Sequence, residues 1–157
     1  MKMDKIKWCI GTKGGIELVE PNKNLAEGYL LKANNALATL RQISDRDWKI
    51  STAYYTMYFS LYSVLIRSGI KCEIHSCTLE FMKRFLPDFF TDADFDLVSE
   101  AFKSRIDSQY YTNRKVDDAV YNKIITNVTG FRVKCKAIVE SMNEKQIKEI
   151  RSKIKNY

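Results

Sequence analysis

The sequence predicts an all-α protein, an up-and-down bundle of four to five helices behind a short N-terminal extension. Two observations predict it. Only two prolines and six glycines occur in 157 residues, so long helices meet few interruptions. Apolar residues also return every three or four positions in successive segments, the spacing of buried helical stripes. An apolar content of 45% is enough for one full core at this length. The simplest division is an extension over 1–20, a bundle over 21–143 and a basic C-terminal helix over 144–157.

The extension reads two ways. Ile6, Trp8 and Ile10 alternate, TKGG can turn, and Ile16 and Leu18 alternate, which is a hairpin pattern. A short amphipathic helix ending before Gly14-Gly15 fits the same residues. Pro21 then blocks any helix arriving from upstream, and Asn24-Leu-Ala-Glu27 offers a capping box for a helix over 24–43. Leu25, Tyr29, Ala33, Ala36, Leu37 and Leu40 form its stripe.

A second helix is predicted from Asp47 to Ser68, with Gly69 as its C-cap. Its middle, Ala53 to Ile66, is apolar nearly all round, the mark of a helix buried on most sides. Thr56, Ser60, Ser63 and Arg67 share one face, where small hydroxyls let a neighbouring backbone come close. Tyr54, Tyr58 and Tyr62 form a second stripe, read as core with hydroxyls reaching partners at the rim.

Ser76 is expected to cap a helix over 77–86 that Pro87 helps end. Thr91 opens the next, with Asp92 and Asp94 in the first turn, and it continues through Phe95, Val98, Phe102, Arg105, Ile106 and Gln109 to Tyr111. Asp117 is expected to cap a long helix to Ser141, inside which Gly130 suggests close packing. The last segment, Glu144 to Ile154, sets Ile147, Ile150 and Ile154 against lysines and arginines.

Composition also excludes chemistry. No run of about 18 apolar residues exists, so no membrane span is encoded. The start MKMDKIKWCIGTKGG lacks the apolar core of a secretory signal, so the expectation is a cytoplasmic protein with no membrane partner. None of Cys9, Cys72, Cys77 and Cys135 forms a CxxC pair, and only one histidine exists, so zinc spacing is absent. No metal and no cofactor are expected. Cys72 and Cys77 lie within reach across a turn, but a reducing cytoplasm favours four free thiols. Glycine-loop phosphate cradles are absent, and Asp88, Asp92, Asp94 and Asp96 lack the glycine and closing glutamate of a calcium loop.

The net charge of +7 is uneven. Residues 1–100 carry 13 basic and 13 acidic side chains, whereas residues 101–157 carry 13 basic and 6 acidic, so the whole excess lies in the last third. That is the footprint of an anion or nucleic-acid binder, or else a solvated basic face. Within this third, Arg105-Ile-Asp-Ser-Gln-Tyr-Tyr-Thr-Asn-Arg114 concentrates polar groups on a helix that otherwise reads as core. Arg105, Asp107, Gln109, Tyr110, Tyr111 and Arg114 are the candidate nucleic-acid or nucleotide ligands, with Arg105 able to hold a phosphate. A buried Arg–Asp or Arg–Tyr network that fixes helix register explains the same residues.

Asp47-Trp48, the run Ala53-Tyr-Tyr-Thr-Met-Tyr-Phe-Ser60, Leu65 to Gly69, His75-Ser76 and Arg105 to Tyr110 together resemble the HEPN domain, over about residues 24–140. The resemblance implies a helical bundle that forms a homodimer. It also implies either a metal-independent ribonuclease or a non-catalytic binder of nucleotide, RNA or protein. The ribonuclease motif of the family is an arginine, four to six residues and a histidine, met by its copy at the dimer cleft. Many such domains are toxins paired with a nucleotidyltransferase (MNT) antitoxin that modifies a tyrosine beside the motif, which here points to Tyr110 or Tyr111. Arg105 takes the arginine position and Tyr110 the histidine position. His75, the only histidine, follows Arg67 with seven residues between. A tyrosine of pKa about 10 is a poor general base at neutral pH. The expected function is therefore a HEPN-like dimer that binds RNA, nucleotide or a nucleotidyltransferase without cutting. The alternatives are a metal-independent ribonuclease toxin using Arg105 with Tyr110 or His75, and a structural adaptor.

Overall fold

The computed structural model describes residues 4–157; residues 1–3, the start of the extension, lie outside them. Among the described residues are seven helices: α1 (Lys5–Gly11), α2 (Lys23–Leu40), α3 (Arg46–Arg67), α4 (His75–Phe85), α5 (Asp92–Tyr110), α6 (Asp118–Ser141) and α7 (Glu144–Lys155). Two short strands, β1 (Glu17–Leu18) and β2 (Ile70–Lys71), pair antiparallel. The all-α bundle read from the sequence is the fold, with more helices than the four or five expected.

Helix α3 is the axis. It packs against α2, α5, α6 and β2. From Ala53 to Ile66 all but Tyr55 and Phe59 are buried, which is the all-round apolarity of the sequence in physical form. The polar stripe inside it is satisfied by the helix itself. Thr56 donates to the Thr52 carbonyl at 2.9 Å and Ser60 to the Thr56 carbonyl at 2.7 Å. Ser63 bonds the Ser60 carbonyl in the same manner. These hydroxyls need no ligand, so the stripe serves packing.

Caps set the element ends, in places two residues from where the sequence put them. Asn22, not Asn24, caps α2, accepting from the Leu25 amide at 2.9 Å. Asp45 caps α3 through the Trp48 amide. Thr91 and Asp94 form the full capping box of α5. Asp117 starts α6 without a side-chain bond, and α4 begins at His75 behind Ile74 with none from Ser76. Gly69 ends α3 at φ +78°, where a side chain would run into Arg151 and the Val19 carbonyl. Gly130 faces open space, so it mediates no close packing.

The extension forms the short helix rather than the hairpin. Asp4 caps it through the Ile6 amide, and the strand that follows pairs with β2 instead of folding back on itself. Ile6, Cys9 and Ile16 at one end of the chain and Ile147, Ile150 and Ile154 at the other join the same core as α3.

Docking α1 onto α4 overturns the expectation of four free thiols. The Cys9 and Cys77 Cα atoms lie 5.6 Å apart and the two sulfurs form a disulfide, while Cys72 and Cys135 are free and buried. The sequence reading considered only the local Cys72–Cys77 pair, because it left α1 without a docking site. The bridge closes a loop across a separation of 68 residues, so by loop entropy it stabilises the fold by about 4 kcal/mol. Dithiol reduction, or Cys9→Ser with Cys77→Ser, should lower the urea midpoint by a corresponding amount. Identical midpoints for oxidised and reduced protein would mean that the bridge does not form in solution.

Candidate functional site

Three helices converge where α3, α4 and α5 meet. From α3 come Tyr54, Tyr55 and Tyr58, from the first turn of α4 comes His75, and from α5 come Phe102, Arg105 and Gln109. The tyrosine stripe docks the chain that leads into α4. Tyr54 shares a 2.7 Å hydrogen bond with His75 Nδ1, Tyr58 bonds Thr78 at 3.3 Å, and the Tyr62 hydroxyl accepts from the Cys72 amide at 3.2 Å. Hydroxyls one helical turn apart thus engage His75, Thr78 and Cys72. The stripe reads from the sequence as core with its hydroxyls reaching partners at the rim, and these are the partners. Its hydroxyl spacing was the available signal that it also faces a polar site.

His75 is fixed on two sides. Its ring lies parallel to Tyr58, centroids 3.9 Å apart and 11° between planes, while Tyr54 holds Nδ1. Burial lowers its pKa below the ordinary 6.5, and the nearby Arg105 charge lowers it further. Burial likewise pushes the Tyr54 phenol far up, with Tyr58 adding to the effect. At neutral pH the cluster therefore holds a neutral imidazole and intact phenols.

Arg105 is 9% exposed. One terminal nitrogen, Nη1, donates to Gln109 Oε1 at 3.2 Å and to the Tyr55 hydroxyl at 3.4 Å. The guanidinium carbon stands 5.0 Å from the Tyr54 ring centre, 5.6 Å from Tyr55 and 5.8 Å from Phe102. Nε is buried with no partner. No carboxylate pairs with Arg105 among the described residues. A buried cation is ordinarily paired, and here only neutral acceptors and aromatic faces surround it.

The residues proposed from sequence divide into two groups. Arg105 and Gln109 stay together, and His75 joins them despite its distance in sequence. Asp107 instead pairs with Arg114 at 3.2 Å, and Arg114 lies over the Tyr111 ring at 3.6 Å. Tyr110, at the last position of α5, is 65% exposed and makes no bond to Arg105 among the described residues. Five residues on a helix turn through about 140° past a full circle, so the two side chains leave different faces.

Around this centre, Asp45, Asp47, Trp48, Ser51, Ser108 and Gln109 line a cavity of about 320 Å³, with Trp48 63% exposed at its edge. A larger surface concavity on α7 is lined by Glu144, Lys145, Lys148, Glu149, Ser152 and Lys153, all solvated. Asp94 is committed to its capping box and to Lys134, which accounts for the acidic run around it. No helix among the described residues is long and apolar enough to cross a membrane. Comparison of the sequence with family models and with curated proteins finds no match.

The lowered His75 pKa gives a signed pH dependence. The unfolded chain binds a proton near pH 6.5, and the folded one only at lower pH. Stability should therefore fall as pH drops from about 6.5 toward the folded value and be whole above it. Urea midpoints at pH 7.5, 6.5 and 5.5 should fall more steeply for the wild type than for His75→Gln. Equal slopes would mean that His75 is not held neutral.

Proposed function

We propose that this protein binds a phosphodiester, as RNA or a nucleotide, at Arg105, and that it does so without cutting. The observation that carries the reading is the guanidinium itself: nine-tenths buried, bonded only to neutral acceptors, with Nε free and no counter-charge. An incoming phosphate supplies the missing anion and accepts in the planar geometry that arginine favours. Tyr55 and His75, partly exposed, and Gln109, exposed, form the approach.

Two further features support a polyanion. Lys103, Lys115, Lys136, Lys145, Lys148, Lys153 and Lys155 are exposed in the basic last third. Trp48 and Tyr110 offer open aromatic faces on which bases stack. The HEPN resemblance is part of the same proposal. It gives a two-fold dimer with an Arg105 site in each protomer, and a nucleotidyltransferase as the partner that would meet the exposed Tyr110.

A second reading is favoured by one observation, the proximity of His75 to Arg105. A histidine and an arginine together are the parts of a metal-independent ribonuclease, with Arg105 on the phosphate and His75 moving the proton.

Fluorescence anisotropy with a short single-stranded RNA tests the main reading. Binding should weaken steeply between 50 and 200 mM salt, by about one power of ten or more if several phosphates are contacted. Arg105→Ala should weaken it about tenfold or more with an unchanged circular dichroism spectrum, and Arg105→Lys by less. Equal affinity of wild type and Arg105→Ala would remove the reading. RNA incubated with chelator and wild type should stay intact. Cleavage that His75→Gln abolishes would establish the ribonuclease instead.

A further inference from the structure

We propose that Tyr54 is a positioning residue that fixes His75 in the tautomer with its proton on Nε2, so that His75 meets an anionic oxygen as a hydrogen-bond donor. The inference starts from one buried hydroxyl. Tyr54 is 0% exposed, and its only hydrogen-bond partner among the described residues is His75 Nδ1, at 2.7 Å. A phenol and an unprotonated ring nitrogen share one proton between them. If Nδ1 carried its own hydrogen and donated, the Tyr54 hydroxyl hydrogen would point into a closed interior with nothing to accept it. Buried donors without acceptors are rare because each is costly. The phenol therefore donates, Nδ1 accepts, and the single proton of the neutral imidazole sits on Nε2.

The surroundings hold this arrangement. Tyr58 stacks flat on the imidazole and prevents the ring from turning over. Tyr54, Tyr55 and Tyr58 face it from α3 and Arg105 from α5, and no carboxylate contributes to its titration. A second proton would have to enter at Nδ1. It would displace the Tyr54 hydrogen and place a second positive charge beside Arg105. His75 thus stays neutral and keeps an N–H at Nε2, which makes no hydrogen bond among the described residues.

The chemical consequence is a choice between roles. With Nδ1 occupied and Nε2 protonated, the imidazole has no free lone pair and is not a general base in this state. Together with the guanidinium it makes a site of donors only, suited to a non-bridging phosphate oxygen. This half of the inference rests on the phosphodiester reading; the tautomer does not.

The protein has one histidine, so its ring nitrogens can be read without overlap. Long-range ¹H–¹⁵N correlation on the full chain at pH 7.5 should show a single neutral tautomer protonated at Nε2. Tyr54→Phe removes one oxygen and should turn this into a mixture of tautomers. Tyr58→Phe removes a hydroxyl that bonds Thr78, keeps the stacked ring, and should leave the pattern as in the wild type. A wild type protonated at Nδ1, or a Tyr54→Phe pattern identical to wild type, would overturn the assignment. Titration with the dinucleotide UpU should then shift the Nε2 resonance to saturation. A fixed Nε2–H tautomer whose resonance ignores UpU would overturn the donor role and the phosphodiester reading, leaving Tyr54's effect on the tautomer established.

Discussion

The burial of α3 on nearly every side is the constraint on which the rest depends. A helix with so few wet faces must settle all its polar groups internally. Its small hydroxyls turn back onto their own carbonyls, which lets neighbours pack against a smooth surface. Its tyrosines are too long for that and have to find partners across the interface. Tyr54, Tyr58 and Tyr62 find them on residues 72–78, and this fixes where α4 starts and where His75 stands. The site geometry is therefore a product of core satisfaction. A single methylene shift in α3 would be felt at the imidazole, because close-packed interiors transmit such changes.

Three arginines reach into this core, and the contrast between them is informative. Arg67 donates to the carbonyls of Val139 and Met142, where α6 ends. Arg151 donates to the Val19 and Gly69 carbonyls, both within 2.8 Å, just past the end of α3. Three of these carbonyls, those of Val139, Met142 and Gly69, lie at or just past a helix C-terminus, where partial negative charge collects. The two arginines tie these segments together. Arg105 has no such surroundings. It lies on the inner face of α5 among rings and neutral oxygens, with Nε unused. Arg132 on α6 also has a buried Nε without a partner, but Arg105 alone stands between the tyrosines of α3 and Gln109.

Much of the fold is legible in the sequence because period and caps are local signals. The apolar band from Ala53 to Ile66, the Thr91 capping box and the Gly69 stop each depend on residues within one turn of each other. The Cys9–Cys77 bridge was not legible, since it depends on α1 docking on α4 across most of the chain. Arg105 and Gln109 were legible as a pair through their four-residue spacing, whereas the Asp107–Arg114 pair forms only because the chain turns back after α5 ends. The meeting of His75 with Arg105 was not, because the two are brought together by α3, which touches both and contains neither. The Tyr54, Tyr58 and Tyr62 stripe showed in the sequence that its hydroxyls reach partners at the rim, but which partners they reach depends on the tertiary fold.

The central claim is that the Arg105 guanidinium is an unfilled anion receptor. The most direct measurement is the ¹⁵N-resolved Nε–H resonance of Arg105, assigned by its loss in Arg105→Lys and followed while a dinucleoside monophosphate is added. The account predicts a shift that saturates with ligand and weakens as salt rises, because a charge-assisted bond at the guanidinium changes the surroundings of its buried, unpartnered Nε. An Arg105 resonance that stays in place while lysine and surface signals move would contradict it, and would make Arg105 one more fixture of the core.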